Sequence, residues 1–174
     1  PGKESAYKVA AVSGDEISDY TKEIYAMTMP ESVQEFSAGA VTDNEIKLSW
    51  KRAVGATKYY LYLFTDGEYK LYGEYSGLSC SFSALSQFTQ YKFRIASVAK
   101  SEHNTIVGLN SDELSVVTLP KKPEDVRGTV ITDDEITLKW AENKKATGFT
   151  VYVFDSEKND YIQAAESETN EATV

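Results

Sequence analysis

The feature that most constrains this chain is that it repeats itself. Val41-Thr42-Asp43-Asn44-Glu45-Ile46-Lys47-Leu48-Ser49-Trp50 returns, 90 residues on, as Ile131-Thr132-Asp133-Asp134-Glu135-Ile136-Thr137-Leu138-Lys139-Trp140. The same offset relates Thr28-Met29-Pro30 to Thr118-Leu119-Pro120, Ala56-Thr57 to Ala146-Thr147, and Tyr62 and Phe64 to Tyr152 and Phe154. A second match, at an offset of 86, sets Tyr91-Lys92-Phe93-Arg94-Ile95-Ala96-Ser97-Val98 against Ser5-Ala6-Tyr7-Lys8-Val9-Ala10-Ala11-Val12. A period this long exceeds a solenoid turn and suits a small independent domain. Residues 1–29 read as the end of one repeat, 30–119 as a complete repeat, and 120–174 as the beginning of a third.

Within the repeat the pattern is that of strands. Ile46, Leu48 and Trp50 alternate with Lys47 and Ser49. Tyr59, Leu61 and Leu63 alternate with Tyr60, Tyr62 and Phe64, and Tyr91, Phe93 and Ile95 with Lys92 and Arg94. Period two with β-branched and aromatic residues marks half-buried antiparallel strands. Turn signals such as Asp66-Gly67 punctuate the strands at short intervals. No helical stripe competes. Short strands and frequent turns in a 90-residue unit predict an all-β sandwich.

Composition narrows the chemistry. Eighteen basic against 27 acidic residues give a net charge of −9, a poor match to nucleic acid or an anionic membrane. One Cys and one His leave no intrachain disulfide, no multi-Cys zinc site and no two-His metal site. No apolar run reaches the ~18 residues of a membrane helix, and no signal peptide stands at the front. The chain opens Pro1-Gly2-Lys3 and is expected to be a piece of something longer.

The repeat resembles the fibronectin type III family. Its marks stand in order: Pro30 at the opening, Trp50 on the second strand, Tyr59-Tyr60-Leu61-Tyr62-Leu63 on the third, and then Leu85-Ser86-Gln87-Phe88-Thr89-Gln90-Tyr91, with Gln87 where the family has proline. The resemblance implies immunoglobulin-like sandwiches in tandem, with Tyr91 making the family's tyrosine corner. It implies strands F and G for 1–29, where Ser5 replaces the corner tyrosine, and strands A to E for 120–174. Trp140 falls on B, and Phe149, Val151 and Val153 on C. The style of the repeats is similar to modules of bacterial surface proteins and of secreted polysaccharide-degrading enzymes, which implies an extracellular or cell-surface setting.

Few residues offer chemistry. Cys80 alternates with Phe82 and reads as a small buried hydrophobe. His103 reads as a solvated loop residue. Asp43-Asn44-Glu45 and Asp133-Asp134-Glu135 read as turn formers rather than cation ligands. No catalytic, cofactor or metal residue is assigned, and no enzymatic activity is expected. The one candidate partner or ligand face is aromatic and cationic: Tyr60, Tyr72 and Tyr75 with Lys92 and Arg94. The expected role is a non-catalytic spacer or presentation module. Self-association is expected through strand complementation, residues 120–174 of one copy taking residues 1–29 of another. The alternative is carbohydrate or protein binding on the aromatic face.

Overall fold

The computed structural model describes residues 1–174, apart from the side chains of Val130 and Ile131. All of its regular structure is β-strand. The chain divides into two compact units, one of Pro1–Val41, Glu45–Ala84 and Gln90–Val117, the other of Thr42–Asn44, Leu85–Thr89 and Thr118–Val174.

The first unit opens with a long hairpin of β1 (Glu4–Tyr7), β2 (Val12–Ser13), β3 (Glu16–Ile17) and β4 (Ile24–Met27). β1 pairs antiparallel with β4, Glu4 opposite Met27, and β2 with β3 around Gly14. Between the two ladders, side chains substitute for strand bonds: the Ser18 and Thr21 hydroxyls accept from the N–H groups of Ala11 and Val9.

The sandwich that follows contains β5 (Ser37–Val41), β6 (Glu45–Ser49), β7 (Lys58–Thr65), β8 (Glu68–Tyr75), β9 (Ser79–Ser83), β10 (Gln90–Lys100), β11 (Thr105–Asn110) and β12 (Leu114–Val117). One sheet runs β5-β6-β9. The other runs β11-β10-β7-β8, with β12 also paired to β10. β11 and β12 are two halves of one strand. They are interrupted at 111–113, where the Ser111 N–H bonds Ile95 O and its hydroxyl accepts from Ile95 N–H. Asp66-Gly67 forms the β7–β8 turn with φ of 53° and 86°, the two left-handed residues that a two-residue hairpin needs. The alternation read from sequence holds: Ile46, Leu48, Tyr59 and Leu61 meet Phe82, Phe93 and Ile95 in the core. Burying each of the larger side chains favours folding by roughly 1.5–3 kcal/mol.

The second unit contains β13 (Arg127–Ile131), β14 (Ile136–Lys139), β15 (Phe149–Asp155), β16 (Asp160–Ser167) and β17 (Glu171–Thr173). β13-β14-β17 form one sheet and β15-β16 the other. This is the order of β5-β6-β9 and β7-β8, strand for strand. The turn before each second strand is closed by a threonine hydroxyl. Asn44 N–H bonds the Thr42 hydroxyl, and Glu135 N–H bonds the Thr132 hydroxyl.

Candidate partner-binding face

Alternation along β7 turns Tyr59 and Leu61 into the core and Tyr60, Tyr62 and Phe64 to the other side of the sheet. Register then decides their neighbours. Tyr60 stands opposite Ala96 and Glu74, Tyr62 opposite Arg94 and Leu71, and Phe64 opposite Tyr69.

Two clusters result. In the first, Phe64 and Tyr69 meet edge to face at 5.2 Å. The Arg94 guanidinium lies 4.4 Å from the Tyr69 ring centre and the Lys92 ammonium 5.8 Å from that of Phe64. Glu113, just before β12, takes the Tyr69 hydroxyl at 2.5 Å and the Lys92 ammonium at 3.0 Å. The Tyr69 hydrogen bond, then that from Lys92, holds the Glu113 carboxyl down from the usual 4.5 to about 2. Burial, followed by the bond to Glu113, pushes the Tyr69 phenol up. In the second cluster Lys58 pairs with Glu74 and lies 5.0 Å over the Tyr60 ring. That pairing raises Lys58 and lowers Glu74.

Tyr60, Lys92 and Arg94 therefore share the outer face. Tyr72 and Tyr75 do not join them, which corrects the expectation of one five-residue face. Tyr75 is directly opposite Tyr59, so it faces inward, and its ring stands 6.2 Å from that of buried Trp50. Tyr72 is the extra residue of a bulge, since Leu61 pairs with Gly73 but Tyr62 with Leu71. Tyr72 packs on Phe82, ring centres 4.4 Å apart. The outer face instead gains Tyr69, Leu71 and Glu113. Counting back from the Asp66-Gly67 turn places Tyr69 beside Phe64, so that residue was within reach of sequence reasoning. Glu113 was not, because it depends on where the last strand breaks.

Lys58 and Glu74, and Lys92 and Glu113, are paired on this face, cations sit over three of its rings, and the Arg94 Nε is buried without a hydrogen-bond partner among the described residues. The arrangement is a cross-strand network that stiffens a sheet. The other singled-out residues also have local roles. Burial raises the Cys80 thiol, which makes it a weak nucleophile. His103 is not simply solvated: it stacks on Tyr25 and touches Glu4. Among the described residues no three His, Cys, Asp or Glu side chains gather to hold a metal, and no helix is long and apolar enough to cross a membrane.

No protein-family model and no curated protein matches the sequence. Solved structures do. A two-domain fibronectin type III segment of chicken tenascin superposes with a TM-score of 0.52 at 15% identity, over 83% of this chain and 82% of that one. The structure called FN3tt has 26% identity, a TM-score of 0.45, and coverage of 53% of this chain and 98% of that one. The FN1-FN3 domains of chicken CNTN1 give 16% identity and a TM-score of 0.44, over 100% of this chain and 66% of that one. The strand order and the tenascin superposition agree: the fold is all-β, of immunoglobulin-like fibronectin type III sandwiches in tandem.

Proposed function

We propose that this chain is a non-catalytic spacer and presentation module of a larger secreted or cell-surface protein. The observation that carries the reading is the join at Met29-Pro30. It has no free linker: Gly2 N–H bonds Met29 O, Thr28 N–H bonds Lys3 O, and Glu31 N–H bonds Val54 O. Chain committed in this way to a defined path transmits position rather than slack. The ion pairs Lys58–Glu74 and Lys92–Glu113 on the outer face support the same reading over ligand capture. A glycan array and a pull-down from a surface extract, run with the chain and with Tyr60→Ala and Arg94→Ala variants, test it. We expect no retention that depends on either residue; retention lost in both variants overturns the spacer role.

One observation favours association between copies. In the second unit Phe149 and Val151 are only half covered and Val153 is exposed, while the first hairpin exposes Val9, Val12, Ile17 and Ile24. In the sandwich the corresponding face is covered by β10, whose sequence the hairpin echoes. The hairpin of a second copy fits that place, giving head-to-tail complementation. Sedimentation velocity across a concentration series tests it. Growth that disappears when residues 1–29 are deleted supports it, and a monomer throughout overturns it.

A further inference from the structure

Glu4 opens β1, yet its side chain is 18% exposed, because residues about a hundred positions away enclose it. The Ser101 hydroxyl donates to its carboxylate at 2.6 Å and the Asn104 amide at 2.8 Å, and His103 Nδ1 lies at 3.2 Å. All three belong to the β10–β11 loop. The His103 ring lies flat on Tyr25 of β4, centres 3.7 Å apart and planes 7° from parallel. The loop is braced for this role: Ser101 N–H bonds Asn104 O, and Asn104 N–H bonds the Ser101 hydroxyl. The three hydrogen bonds also hold the Glu4 carboxyl below its ordinary range.

A second contact lies at the β6–β7 turn. Gly2 and Gly55 meet backbone to backbone, with φ of 62° and 80°. A Cβ on Gly2 would fall 2.1 Å from Gly55 O, and one on Gly55 would fall 2.4 Å from Pro1 O. Only glycine at both positions permits that approach.

The second unit contains the same juxtaposition in different chemistry. Phe88 has the left-handed φ of its counterpart Gly2, at 45°. Lys145, the counterpart of Gly55, donates to Gln87 O at 3.0 Å and to the Thr89 hydroxyl at 3.2 Å. The Asn143 amide donates to Gln87 Oε1 at 3.0 Å.

We propose that the β10–β11 loop and the Val54-Gly55 turn of the sandwich form a docking surface whose partner is the end of the preceding module. The Glu4 clamp and the Gly2–Gly55 contact set the angle of the join. The β10–β11 loop is committed to the neighbouring hairpin through Glu4. The inference refines the spacer reading but has a separate test, since finding a ligand for the outer face would leave the join unchanged.

Hydrogen exchange and residual dipolar couplings on the full chain measure it. In the unaltered chain the amides of β1 and β4 share one alignment frame with those of β7 and β10. Glu4→Gln and His103→Ala should each speed exchange in β1 and β4 by about tenfold or more, leaving Phe93 and Ile95 protected. Gly2→Ala, a change outside the sandwich core, should do the same through the second contact. Unchanged exchange and a retained common frame in all three variants overturn the proposal.

Discussion

Ile46 and Ile136 occupy the same place in two copies of one sequence pattern, and their surroundings differ completely. Ile46 is 0% exposed; Ile136 is 42% exposed. The strands that carry them pair alike, β6 between β5 and β9, β14 between β13 and β17. What separates them is the facing sheet. Around Ile46, the long strand β10 brings Phe93 and Ile95 across the sandwich. In the second unit the facing sheet is β15-β16 alone, and among the described residues of 120–174 the buried apolar side chains are Trp140 and Ala172. Local sequence thus makes the strands and their pairing, while the depth of burial comes from a strand about forty residues further along.

The strongest way to break this comparison is to remove the strand's anchor. Phe93→Ala should destabilise the first unit by about 3–5 kcal/mol, read from denaturant unfolding. The signals of the second unit should hold their midpoint. Next comes the matched pair. Ile46→Ala should cost about 2–5 kcal/mol, and Ile136→Ala less than about 1 kcal/mol. Equal losses in the two would mean that position, not coverage, governs the cost. A smaller effect separates the two hairpin turns. Gly67→Ala places a Cβ at φ 86° in the two-residue β7–β8 turn and should cost about 1 kcal/mol. The longer β15–β16 turn instead uses the Asp155 carboxylate to accept from Glu157 and Lys158 N–H, so it needs no glycine.

The smallest effect is acid titration. Glu113 and Asp155 are both lowered, but for different reasons. Glu113 depends on Tyr69 and Lys92 from separate strands, and Asp155 chiefly on the backbone of its own turn. A carboxyl lowered on folding adds stability above its unfolded value and loses it as pH falls through its folded value. For Glu113 that window runs from 4.5 to about 2. Carboxyl-detected NMR should find its midpoint near the lower end, and Glu113→Gln should remove that share of the acid sensitivity. A midpoint back in the ordinary glutamate range would show that the cross-strand network is not formed.

Much of this architecture was legible in the sequence because repeats and period-two alternation are local signals. The inward set Tyr59 and Leu61 and the Asp66-Gly67 turn follow from residue types within a few positions of one another. The errors begin where a one-residue irregularity intervenes. Tyr75 reads as facing outward by counting on from Tyr69, and the bulge at Leu61/Tyr62 turns it inward, opposite Tyr59. Glu113 and the Glu4–His103 contact rest on long separations in the chain, with no periodic trace. His103 looked solitary for that reason: its acidic neighbour lies at the other end of the unit.

Trp50 and Trp140 are 5% and 6% exposed, and neither indole N–H has a hydrogen-bond partner among the described residues. They are the chain's two tryptophans, one in each unit. An indole shielded from water and without an acceptor relaxes little after excitation, so both should emit at the blue end of the tryptophan range. Replacing either with phenylalanine leaves a single fluorophore whose colour reports one unit alone. The repeat has thus supplied each sandwich with an internal optical label, and the two halves can be watched separately in one undivided chain.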